Sequence, residues 1–133
     1  MQQAEDFLEE CRDLLALVEP LDADELTQKT DFKDWTIETV IRHLHFWNQM
    51  ALYALTDTDT FNQRLEPVIQ TLGKGQTLGV VEQDQVPVRG TALVADWRQL
   101  FEYVAQCYRD ADPSQRCAWA GPSMSARSCI TAR

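Results

Sequence analysis

Apolar residues recur at three- and four-residue steps through most of this chain. Phe7, Cys11, Leu14, Leu15 and Val18 fall on one face of a helix over residues 3–19, closed by Pro20. LDADELTQKTDF then reads as a polar connection with a short helical turn over residues 23–27. A second helix starts at Thr36, whose hydroxyl suits an N-cap because it can accept a bond from a free amide of the first turn. Its stripe is Ile37, Val40, Ile41, Leu44, Asn48, Ala51 and Leu55, with Trp47 at the border, and it ends in TDTDT. Phe61, Leu65, Val68, Ile69 and Leu72 form a third stripe. Pro67 lies inside it, and a proline costs about 3 kcal/mol in a helix interior, which predicts a kink or a restart near Glu66. GKGQTLGVVEQDQVPVRG reads as a long connection with an extended stretch at Val80 and Val81. The clearest helix covers residues 91–109, with Leu93, Val94, Trp97, Leu100, Phe101 and Val104 in register, and Asp112-Pro113 stops it. In CAWAGPSMSARSCITAR, Pro122 with Ser123 or Ser125 marks the entry to a last, short helix. Several amphipathic helices and no sustained strand pattern predict an all-α bundle.

Composition narrows the class. A chain of 133 residues with four tryptophans is long enough to bury a core as one domain over residues 1–133. The net charge of −9 is uneven: residues 1–34 carry eleven acids and three bases, and the rest is nearly balanced. With no cluster of Lys and Arg, nucleic acid and an anionic membrane surface are not expected partners. The acidic segment reads as a solvated helix face. MQQAEDFLEE has neither the basic nor the apolar region of a signal peptide, and no apolar run is long enough to span a bilayer, so a cytoplasmic location is expected. Cys11, Cys107, Cys117 and Cys129 are then reduced, and their spacing contains no CxxC. Cys11 falls on an apolar stripe and is expected to pack as a small core residue. The other three lack the basic or helix-start setting that lowers a thiol pKa.

The candidate chemistry lies in FKDWTIETVIRHLHFWNQM, which holds both histidines of the chain. On a helix, residues two apart point about 200° apart. His43 and His45 therefore cannot grip one ion together, and at most one of them is a metal ligand. On the helical wheel they flank the apolar stripe on opposite sides, which predicts two boundary histidines, each with a nitrogen in water. A catalytic zinc site needs three protein ligands, and the only other internal candidates are carboxylates without a telling spacing. GxSxG, GxGxxG and the P-loop pattern are absent.

DWTIETVIRHL nevertheless resembles the opening of the second helix in the DinB-like superfamily, in its mycothiol-dependent maleylpyruvate isomerase N-terminal branch. Trp35, Thr36, Val40, Ile41, His43 and Leu44 carry the match, and WAGPSMSARSCITAR is similar to the segment leading into the family's last helix. The likeness is greatest to a metal-binding subfamily of that branch. It implies an up-down four-helix bundle whose last helix is incomplete in this chain. It also implies a divalent metal, zinc or nickel, with His43 as one ligand and the other two in a Glu-x-x-x-His motif. That spacing puts both side chains on one helix face. No such motif occurs in residues 1–133, so the chain is expected either to be a fragment of a longer protein, the reading favoured because its last helix lacks an end, or to have lost the site. The implied activity is a thiol-dependent transfer or isomerisation, with a low-molecular-weight thiol and a small-molecule substrate as partners. Asp34 replaces the family's glycine before Trp35, and His45 matches no family role. Two other readings stand beside this one: a non-catalytic metal- or ligand-binding bundle, and a metal-free interaction domain, possible as a homodimer.

Overall fold

A computed structural model describes residues 1–133. The chain forms α1 (Gln2–Val18), α2 (Ala23–Leu26), α3 (Ile37–Thr56), α4 (Thr58–Gly73), α5 (Gly79–Gln85), α6 (Gly90–Asp110), β1 (Arg116–Cys117), β2 (Met124–Ser125) and α7 (Ala126–Ala132). The fold is an all-α bundle. Twenty-eight buried apolar residues make one core cluster, drawn from every helix.

Helix α6 is the organising element, packed on α1 and α3. Its apolar stripe of Leu93, Val94, Trp97, Phe101, Val104 and Tyr108 is buried as the periodicity predicts. Arg98, Glu102 and Arg109 on its outer flank meet Glu19, Arg12 and Glu5 of α1. The reversed order of these pairs makes the two helices antiparallel. They are exposed and add little stability singly, but they place part of the amino-terminal acidity against arginines. Tyr108 ties α6 to α3 by donating its hydroxyl to the Ala51 carbonyl at 2.7 Å. Helix α7 closes the bundle against α1, α3 and α6.

Caps explain several boundaries. Thr36 Oγ1 accepts from the Thr39 amide at 3.0 Å, as expected of an N-cap. Asp22 and Glu25 form a complete capping box around the one-turn α2. Ser125 caps α7 through the Ser128 amide.

Three expectations are corrected. The restart expected near Glu66 does not occur: α4 is one helix from Thr58 to Gly73 with Pro67 inside it. Pro67 is exposed, and the buried Phe61, Leu65 and Val68 hold the turns around it, offsetting the intrahelical bond that proline cannot make. Val80 and Val81 are helical, not extended: they belong to α5, formed because Val81 and Val86 both reach the core. The segment after α6 contains a two-residue antiparallel pair, with Arg116 opposite Ser125 and Cys117 opposite Met124. No helix is long and apolar enough to cross a membrane.

Candidate functional site

Helix α3 presents the two histidines to different surroundings, as the 200° separation requires. His45 departs from the boundary position expected of it. It is buried, because α3 is covered by α4, α5, α6 and α7 and its buried face is wider than one stripe. Its Nε2 accepts from the Gln49 side-chain amide at 3.2 Å, and burial lowers its pKa from 6.5 to about 4. It is a neutral core histidine. Nearby Asn48 and Trp97 are buried with polar atoms that no other protein group meets.

His43 is different. Its side chain is 33 % exposed and lies 2.9 and 2.8 Å, through Nδ1, from the two carboxylate oxygens of Glu82. Glu82 is on α5, with a side chain only 5 % exposed. Trp35 packs edge-on against the imidazole, with ring centroids 5.3 Å apart, and Phe32 packs on Trp35 in turn. Trp35, His43 and Glu82 border a cleft of about 640 Å³, lined also by Lys33, Thr39, Gln76 and Gln83.

The loop before α3 holds Trp35 in place. The Trp35 carbonyl accepts from the Thr30 amide at 2.7 Å and from the Thr30 hydroxyl at 2.8 Å. Lys33 and Asp34 both have positive φ, 51° and 58°. The glycine that the resemblance implies at position 34 would have a physical cause, since left-handed backbone is what glycine adopts at no steric cost. Aspartate is among the few other residues that tolerate it.

Arg42 brings α5 to His43. Buried on α3, it donates from Nε to the Val86 carbonyl at 2.9 Å and from Nη2 to the Val88 carbonyl at 3.0 Å. The same Nη2 pairs with Glu38 at 2.8 Å. The chain after α5 is thereby fastened to α3, and Glu82 falls one turn from Val86. Neither Arg42 nor Glu82 stands out in the sequence. The only hint is VVEQDQV, whose Glu82 and Val86, four residues apart, share a helix face.

The cysteines do not gather at this cleft. Burial pushes the Cys11 thiol up to about 11 and Cys129 to about 12, and raises Cys117 as well. These are held as thiols, the opposite of what a nucleophile requires. Cys11 is a buried core residue, as its stripe position predicts.

No three His, Cys, Asp or Glu side chains come together in an arrangement that would hold a metal ion. The donor chemistry at His43 fits one ligand position: a partly exposed imidazole with a carboxylate on one nitrogen is the usual form of a ligating histidine. The residues present do not complete a three-ligand centre.

A helical bundle with His43 on its second long helix is the arrangement that the DinB-like resemblance implied. The chain belongs to the mycothiol maleylpyruvate isomerase N-terminal domain family, whose model matches residues 7–133. It is also 32% identical over 131 residues to the uncharacterised proteins Rv0036c and MT0041 of Mycobacterium tuberculosis strains H37Rv and CDC 1551. The match covers 96% of this chain and 49% of each relative, so the chain spans about half the length of the curated relatives it matches. No solved structure matches it.

Proposed function

We propose that this domain serves a thiol-dependent transfer or isomerisation, with His43 supplying one of three ligands to a divalent metal. The observation that carries the reading is the imidazole of His43 at the cleft, with the buried Glu82 carboxylate on Nδ1. Family membership supports the thiol chemistry, because the family's name joins mycothiol to an isomerase. A divalent metal, zinc or nickel, supplies a lowered pKa to a bound thiol. The remaining ligands are the Glu-x-x-x-His pair of the family pattern, which is not among residues 1–133.

The residues of this chain contribute the rest of the setting. Trp35 holds one edge of the imidazole, and the cleft admits a small molecule beside it. The partners are a low-molecular-weight thiol and its substrate. A second reading is a non-catalytic metal- or ligand-binding bundle, for which the cleft beside His43 supplies the binding volume.

Metal analysis of the full-length protein tests the proposal. The expected result is stoichiometric metal in the wild type and its loss in His43→Ala, with His45→Ala retaining it in the folded fraction. Unchanged metal in His43→Ala removes that residue from the site. Turnover of thiol conjugates separates the two readings: metal binding without turnover of any thiol offered leaves the binding bundle.

A further inference from the structure

We infer that Glu82 is the positioning residue of the site: it holds His43 as the Nδ1–H tautomer and so keeps the Nε2 lone pair free for a ligand. The role of that lone pair rests on the function proposed above, whereas the hold of Glu82 on the ring stands on the geometry alone. Both carboxylate oxygens lie within hydrogen-bond reach of one ring nitrogen. An ionised carboxylate only accepts, so the proton at this contact belongs to Nδ1. A neutral imidazole carries one N–H, and fixing it at Nδ1 leaves Nε2 as the acceptor.

Burial makes the arrangement directional. Glu82 is almost wholly out of water and His43 is its one side-chain partner, so release of the ring leaves a buried carboxylate without a donor. Helix α5 keeps Glu82 there through Val81 and Val86, which are in the core, and through the Arg42 bonds to the Val86 and Val88 carbonyls. Trp35 restrains the ring from another side. The imidazole is oriented by two separate segments before any ligand arrives. A carboxylate in this position also makes Nε2 a stronger donor.

Nitrogen-15 NMR of the His43 ring in metal-free protein tests the hold directly. At a pH where the ring is neutral, wild type is expected as the Nδ1–H tautomer. Glu82→Gln keeps an acceptor oxygen and is expected to retain that tautomer. Glu82→Ala is expected to shift towards Nε2–H, with α5 amide signals reporting whether the helix stays docked. Should α5 be released in that variant, Glu82→Leu, which fills the buried volume, takes its place. A neutral wild-type ring found as Nε2–H overturns the inference, as does an unchanged tautomer in both Glu82→Ala and Glu82→Leu.

Zinc titration of the full-length protein reads the consequence. Removing the carboxylate is expected to weaken zinc about 10- to 100-fold, while Glu82→Gln stays closer to wild type. Equal zinc affinity in all Glu82 variants overturns the role of the carboxylate in binding. Full-length wild type without zinc affinity defeats the proposed function instead, and the NMR result still decides what Glu82 does.

Discussion

Asp34 sits in left-handed backbone immediately after Lys33, which does the same, and the two residues lead directly into Trp35. Only glycine enters that region without steric cost, although aspartate resists it less than most. Asp34→Gly is therefore expected to stabilise the domain by about 0.5–1 kcal/mol, and Asp34→Val to destabilise it by about 1–2 kcal/mol. Urea unfolding at equal slope measures both, and a more stable valine variant contradicts the backbone argument. His45 yields the second prediction at this scale. Its folded-state pKa, about 4, lies below its ordinary 6.5. Between those values the unfolded chain binds more protons than the folded one, so stability present above pH 6.5 is lost as pH falls towards 4. The loss from this residue reaches at most about 3 kcal/mol. Unfolding free energy measured from pH 7 to 4.5 should fall less steeply in His45→Gln than in wild type. Parallel profiles would mean that His45 is not the acid-sensitive group.

Among the elements, α5 links the core to the cleft. It has only seven residues, too few for a helix to persist in water without support, and it lies in a segment containing four glycines. Its stability comes from Val81, Val86 and the Arg42 bonds. Replacing Arg42 with alanine leaves Glu38 without its cation and removes the donor from two carbonyls. The expected cost is about 2–4 kcal/mol, with faster hydrogen exchange at α5 amides than at those of α6. Exchange that rises equally in both helices would show general destabilisation instead of release of α5. The same helix marks the limit of periodicity as a guide. Two valines and a glutamate among glycines and glutamines carry too weak a pattern to separate helix from extended chain. Pro67 shows the reverse: it lies inside α4, where burial of Phe61, Leu65 and Val68 offsets the bond that proline cannot make. Thr36 and the α6 stripe were legible because capping and amphipathic periodicity act within one element.

At the scale of the whole molecule, most of the net charge of −9 lies in residues 1–34, where Glu5 and Glu19 face Arg109 and Arg98 of α6 and Glu10 faces Arg133. The acidic face is thus partly an inter-helix seam, which a charge count along the chain does not reveal. The all-α class, the long helices, the N-cap of α3 and the separation of the two histidines were determined by the sequence itself. Each depends on residues a few positions apart. Family membership followed from the local motif around Trp35 and His43, and the family model bears it out. Only the tertiary structure decided which histidine is buried and which reaches a cleft, because that depends on what covers α3. It alone paired His43 with Glu82 across 39 residues, through a short helix that neither its composition nor its periodicity announces. The physical reason is that contacts between distant segments are set by packing and by buried hydrogen bonds, which leave no fixed spacing in the chain.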